Sequence, residues 1–251
     1  MKTVNSERLK IAIRPEVAIP DWSDVTSETA CTALEALFKT CNWSERWAGL
    51  DAIEDATRSM ILKIYARTGH APSFHDLAQI LKMTPDQIEG LISRLAARDM
   101  LVLDSGNTAI IGAYPFVERD TEHRVHLTDC ALNAMCAIDA LGTGAMLNID
   151  VTINSSCRYC GTVIDVQTCD NGTSLGEFTP EQAVVWAGIQ YDNNCAAHSL
   201  CTVMAFFCSD AHLSAWRTSQ NLEPSGYRLS MEEGLQVGKA IFSPLLRDVP
   251  H

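Results

Sequence analysis

Thr84-Pro85-Asp86-Gln87-Ile88-Glu89-Gly90-Leu91-Ile92-Ser93-Arg94-Leu95 decides how the first half of the chain is read. Thr84 can cap a helix, Pro85 suits its first position, Asp86 complements its positive end, and Ile88, Leu91, Ile92 and Leu95 recur at helical spacing. Met100-Leu101-Val102-Leu103, the turn Asp104-Ser105-Gly106-Asn107 and Ala109-Ile110-Ile111 then predict a hairpin. Upstream, Ala56, Met60, Ile61, Ile64 and Tyr65 form an apolar helical stripe ending before Gly69, and Ser73 to Leu81 predicts a short helix capped by Ser73. Three helices and a β-wing make a winged-helix-like pattern over residues 48–116. A DNA reader would carry Lys or Arg early on its third helix, whereas this one carries Asp86 and Glu89, so a structural use is expected.

Residues 1–47 read as an extension. Ser27 to Phe38 is amphipathic through Ala30, Ala33, Leu34, Leu37 and Phe38, and Trp22, Trp43 and Trp47 read as packing anchors. Residues 117–251 mix short strands with helices. Thr128 or Asp129 is expected to cap a helix through Leu141 that stops at Gly142. Leu147 to Ile153 and Gly161 to Val166 read as strands, Pro180 to Val185 as a short helix, and Val203 to Phe207 as a central strand. Ser230-Met231-Glu232-Glu233 is a capping box for a closing helix that reaches Leu246. The fold class is α+β: a winged-helix-like three-helix region, then a mixed or antiparallel sheet core with flanking helices.

With 251 residues, 47% of them hydrophobic, the chain can fill one large domain or two small ones. It shows neither a secretory start nor eighteen consecutive apolar residues, so a cytoplasmic protein without membrane contact is expected. A formal charge of -12 argues against nucleic acid as a partner. Two of the ten cysteines, Cys31 and Cys41, lie early and eight fall between Cys130 and Cys208. Reduced thiols in the second half are where the chemistry is expected.

Within Leu132-Asn133-Ala134-Met135-Cys136-Ala137-Ile138-Asp139, a thiol and a carboxyl stand three residues apart, a spacing that puts them on one face of a helix. A lone cysteine on an apolar face is ordinarily a small buried hydrophobe. An aspartate on the same face is costly to bury without a partner or a task, which shifts the weight toward function. Cys201 heads the apolar run Cys201-Thr202-Val203-Met204-Ala205-Phe206-Phe207 and could bring a second thiol to them. Cys157-Arg158-Tyr159-Cys160-Gly161 is a C-x-x-C knuckle, half of a zinc site. Cys130 with Cys136, or Cys195 with Cys201, could supply the other half, though five residues separate each pair. A zinc-containing winged-helix protein that responds to or sequesters metal is therefore the competing reading. His198 and His212 flank the Cys201 strand and could be ligands, but the reading as ordinary surface or core histidines is favoured. Phosphate loops, nucleophile elbows and H-E-x-x-H helices are absent from the sequence.

At these residues the chain resembles the organomercurial (alkylmercury) lyases, mercury-resistance enzymes that cleave the carbon–mercury bond. Leu132 to Leu141 is similar to the family segment holding a cysteine and an aspartate, and Asn154-Ser155-Ser156-Cys157 to the one with a structural cysteine. Ser199-Leu200-Cys201 followed by Phe206-Phe207 is similar to the segment with the second catalytic cysteine, and Gly234-Leu235-Gln236 through Leu245-Leu246 to the closing helix. The likeness extends over roughly residues 48–248. Met135 stands where an aromatic residue is common, Thr202 where a further cysteine can follow, Ala205 where a histidine can precede the phenylalanines, and Cys160 is additional.

The resemblance implies Cys136, Asp139 and Cys201 as catalytic residues that also contact mercury. It implies an organomercury substrate, no required cofactor, Hg(II) as bound product, and handoff to small-molecule thiols or a mercuric reductase. The chemistry suits the residues. Mercury is soft and prefers thiolate to carboxylate, imidazole or water. Moving a proton from an ordinary thiol to an ordinary aspartate is uphill by roughly 6 kcal/mol, so formation of the mercury–sulfur bond must drive it.

Overall fold

The computed structural model describes residues 8–192, 195–220 and 225–247. The chain opens with an antiparallel hairpin of β1 (Ile11–Arg14) and β2 (Val17–Ile19). Ser27 then accepts a hydrogen bond from the Ala30 amide and starts α1 (Glu28–Cys41), which buries Ala30, Ala33, Leu34, Leu37 and Phe38, the stripe that the spacing anticipates. A left-handed Asn42 turns the chain into the short α2 (Trp43–Arg46). The Arg98 guanidinium donates to the carbonyls of Arg46 and Ala48 at 2.8 and 3.0 Å, fastening these first elements to the helical region downstream.

Three capped helices come next: α3 (Ala52–Thr68), α4 (Phe74–Leu81) and α5 (Pro85–Ala97). Asp51 with Glu54, Ser73 with Asp76, and Thr84 with Gln87 each close a reciprocal capping box, which satisfies amide groups that a helix start otherwise leaves unpaired. The expected hairpin is present as β3 (Leu101–Leu103) and β4 (Ile110–Ala113), and Asp104 accepts from the Thr108 and Ala109 amides to shape its turn.

That hairpin is not a detached wing. It continues through β5 (Phe116–Val117), β6 (Arg124–His126) and β7 (Ala131–Ala134) into one antiparallel sheet. The helix expected from Thr128 or Asp129 is therefore absent, because Ala131–Ala134 pairs with β6 on one side and β5 on the other. Pairing on both edges overrides the helical preference of alanine and leucine. The helix that does form, α6 (Ala137–Leu147), begins at Cys136 as N-cap and runs through Gly142 and Gly144. The strands β8 (Thr152–Ser156), β9 (Val163–Cys169) and β10 (Ser174–Thr179) complete an eight-stranded sheet of order β10-β9-β8-β6-β7-β5-β4-β3.

A second sheet has β11 (Val184–Gly188) at its centre, flanked by β12 (Met204–Phe207) and, after α7 (Asp210–Ser219), by β13 (Gly226–Ser230). Two expectations change here. Residues from Val184 form the fully buried central strand rather than the end of a helix, and the Phe206-Phe207 strand lies at an edge. Ser230 caps α8 (Met231–Phe242) through the foreseen capping box, and a 3-10 turn over Ser243–Leu246 ends the described chain.

The two sheets are joined by α6 and α8. A Cβ at Gly142 would lie 2.7 Å from the carbonyl oxygen of Gly238, and one at Gly238 would lie 2.8 Å from that of Ile138. Gly142 is thus mid-helix, present because the two backbones touch. No helix among the described residues is long and apolar enough to cross a membrane.

Candidate active site

Cys136 and Asp139 stand at the junction of β7 and α6, beside the large sheet, while Cys201 lies in a 3-10 turn, Cys201–Val203, that leads into β12 of the small one. The structure brings all three together. Their ligand atoms lie within 4.8 Å of one another, and the Cys201 Sγ is 3.5 Å from Asp139 Oδ2. The shared helix face expected from the sequence is replaced by a cap. Cys136 is extended, at φ -154 and ψ 179, and its sulfur accepts from the Asp139 amide at 3.5 Å. Capping, rather than helical periodicity, is what turns thiol and carboxyl toward one another.

All three side chains are buried, Cys136 at 2%, Asp139 at 3% and Cys201 at 5% exposure. Burial pushes the Asp139 carboxyl up to about 7, against the pull of hydrogen bonds from the two thiols. Burial also raises the Cys136 thiol, and the contact with Cys136, followed by burial and the Asp139 charge, raises Cys201 well above its ordinary value. At rest the site therefore favours neutral thiols and a carboxyl that can hold a proton near neutral pH. A further soft donor that the sequence reading passed over is the Met204 thioether, 3.6 Å from the Cys136 sulfur.

The three side chains border a cavity of about 20 Å³, room for one water-sized group. Leu37, Trp43 and Trp47 from the first elements of the chain line it together with Tyr114, Ile138 and Phe242. Phe38 meets Trp43 edge-on at 4.9 Å, and Trp43 stacks on Trp47 at 5.2 Å, so an aromatic column covers the triad from that side. On its other side Cys201 borders an open cleft of about 530 Å³ lined by Arg119, Asp120, Glu122, His123, Met135 and Arg158.

The segment from Ala196 to Val203, two successive 3-10 turns of which the second carries Cys201, is held from two directions. Buried Asp99, at the end of α5, accepts from the hydroxyls of Tyr114 and Tyr191 at 2.9 and 3.0 Å and from the Ala196 amide at 3.1 Å. The Tyr114 oxygen in turn accepts from the Ala197 amide at 2.8 Å. From the cleft side, Arg158 donates to the Thr202 carbonyl at 2.7 Å and to Glu122 at 2.9 Å. Sequence reasoning offers no sign of Asp99, because nothing local links it to a turn about a hundred residues downstream.

The family model for alkylmercury lyase matches residues 116–243, just over half of the chain, and this stretch contains every member of the triad. The chain belongs to the alkylmercury lyase family. Among solved structures, the crystal structure of the mercury-bound form of MerB2 is similar, at 25% sequence identity and a TM-score of 0.69, over 86% of this chain and 100% of that one. A search of curated proteins found no match. The family match begins at Phe116 and so leaves out α1 to α5, although Leu37, Trp43 and Trp47 reach the triad.

A second group of metal-type donors lies within the family region. Cys157, Cys160, Cys208 and His212 also have ligand atoms within 4.8 Å of one another. The knuckle of Cys157 and Cys160 is legible in the sequence, but neither of the partner pairs considered for it, Cys130 with Cys136 or Cys195 with Cys201, is among these four. The signal that would have found them is the C-x-x-x-H spacing of Cys208 and His212. Of the two histidines singled out, His212 sits among the sulfurs, while His198 is exposed.

Proposed function

We propose that the chain is an organomercurial lyase that breaks the carbon–mercury bond by protonolysis, with Cys136 and Cys201 taking the metal and Asp139 delivering the proton. The observation that carries this reading is the buried convergence of two thiols and one carboxyl in a family that acts on this bond. Mercury is soft, so the sulfurs compete for it better than any oxygen or nitrogen donor nearby.

One thiol displaces the leaving ligand of the organomercurial and loses its proton to it. The second thiol adds to the same metal and passes its proton to Asp139, a step made easier by a carboxyl that burial has pushed up to about 7. Two thiolates on the metal drive electron density toward the mercury–carbon bond. The bonding pair and the Asp139 proton then end on carbon, and the hydrocarbon leaves. Mercury is divalent before and after, so the step needs neither oxidant nor reductant. The Hg(II) held by two sulfurs passes to small-molecule thiols or to the thiols of a mercuric reductase in the cytoplasm, and no cofactor enters the scheme.

Headspace analysis after mixing the protein with methylmercury tests the proposal. Methane in proportion to the metal retained is expected. Retained mercury without methane would replace the lyase with a protein that only sequesters the metal.

A further inference from the structure

The four donors outside the triad form a C-x-x-C and a C-x-x-x-H pair that meet across the junction of the two sheets. Cys157 comes directly after β8. Its amide donates to the Thr162 carbonyl at 2.8 Å and its carbonyl accepts from the Gly161 amide at 2.8 Å, a tight knuckle that Gly161 closes at φ 74. Cys208 comes directly after β12, and His212 lies in the first turn of α7, where its amide donates to the Ser209 cap at 3.3 Å. The Cys160 and Cys208 sulfurs are 3.8 Å apart, Cys157 Sγ is 3.8 Å from His212 Nδ1, and Cys208 Sγ is 2.9 Å from the same nitrogen.

Zinc–sulfur bonds of ordinary length set the edges of a tetrahedral site at about 3.8 Å, which is the scale of two of these three separations. The shorter contact is a thiol–imidazole hydrogen bond that an ion between the two groups would replace. Three thiols with one imidazole is a standard donor set of structural zinc, and four protein ligands leave no open position for a substrate. The Thr162 hydroxyl, 3.1 Å from the Cys160 sulfur, supplies the outer hydrogen bond that such thiolates take.

We propose that Cys157, Cys160, Cys208 and His212 bind one structural zinc ion that pins the β8–β9 turn of the large sheet to the β12–α7 junction of the small one. The pin has a reach. Between the two knuckle cysteines, the Arg158 amide donates to the Phe206 carbonyl at 3.1 Å and its side chain holds the Thr202 carbonyl, next to Cys201. Fixing the knuckle therefore fixes one of the supports of the Cys201 turn. The assignment concerns a site separate from the triad and stands whether or not the triad performs the proposed reaction.

Zinc content of the whole purified chain, kept reduced, exposed to zinc chloride and passed over a desalting column, tests it. One zinc per chain is expected by elemental analysis and native mass spectrometry. Chelator competition should give an affinity at least about 10-fold weaker in Cys160→Ser and in His212→Gln, since losing a direct ligand costs no less than losing an outer one. Cys160 is exposed, so its serine variant keeps the core intact, and circular dichroism checks this. Cobalt loading should give the visible bands of a tetrahedral thiolate site in the wild type and in the Cys136→Ser/Cys201→Ser double variant, but not in Cys160→Ser. A wild type that emerges free of zinc would overturn the assignment. So would zinc that is lost with Cys136 and Cys201 but kept by the Cys160 and His212 variants, or a Cys160–Cys208 disulfide in protein kept reduced.

Discussion

If both proposals hold, the two sulfur clusters put the same donor to opposite ends. The triad is buried on all members and offers two thiols and an acid that holds its proton near neutrality, so an ion bound there keeps room for a reacting group. The knuckle cluster has four donors, an exposed Cys160 and a half-buried Cys208 and His212, and its donor count closes the coordination of a tetrahedral ion. Open coordination with a proton source suits chemistry, while closed coordination without one suits cross-linking. The difference teaches that cysteine content says little by itself; burial, donor count and the presence of an acid separate a reactive site from a structural one.

The contrast can be broken most directly at the sulfurs of the triad. Cys136→Ser or Cys201→Ser should reduce hydrocarbon release from methylmercury or phenylmercury to background, and a serine variant within about tenfold of wild type would make the two clusters equivalent. Asp139→Asn should keep mercury, detectable by mass spectrometry, yet release methane or benzene about 10²–10⁴-fold more slowly. Turnover at the wild-type rate would remove the acid from its role.

Acidity sharpens the same comparison. The Asp139 carboxyl is held at about 7 in the folded chain against an ordinary 3.8, so the native state binds the proton more tightly than the unfolded one. Its stabilising contribution is complete below pH 3.8, declines as pH rises, and is gone above about 7, where the ionised buried group costs up to about 4 kcal/mol relative to its neutral form. Urea denaturation should therefore show Asp139→Asn gaining on wild type between about pH 4 and pH 7 and levelling off above that; a constant difference would mean that the carboxyl titrates normally. The rate of methane release should fall as pH drops below about 7, because Asp139 must be ionised to take the proton of the second thiol.

A smaller effect is expected at Asp99. Asp99→Ala strands two tyrosine hydroxyls and the Ala196 amide, for a loss of about 1–3 kcal/mol in stability. With the Cys201 turn loosened, kcat should drop about tenfold while mercury retention persists. Unchanged stability and kcat together would show that Arg158 alone holds the turn.

The sequence is most readable where structure is decided locally. Ser73, Thr84 and Ser230 each announce a helix start because the cap and its partner lie within four residues, and each forms a capping box. Ala131–Ala134 misleads because its strand state comes from neighbours on both sides, and Gly142 because the close approach that requires glycine is made by a helix almost a hundred residues later. The triad members can be named from family-like segments, but the cap that orients Cys136 cannot, since the expected helix start lies upstream. Cys208 escapes notice and His212 is read as ordinary because ten cysteines allow many pairings and spacing alone does not choose among them.

Two of the five tryptophans, Trp43 and Trp47, line the same small cavity as Cys136 and Cys201. A heavy atom that close enhances spin–orbit coupling and drains an excited indole through its triplet state. If mercury binds the triad as proposed, the aromatic cover gives the chain an intrinsic optical gauge: arrival and departure of the metal would be followed as dimming and recovery of ultraviolet emission, with no label attached.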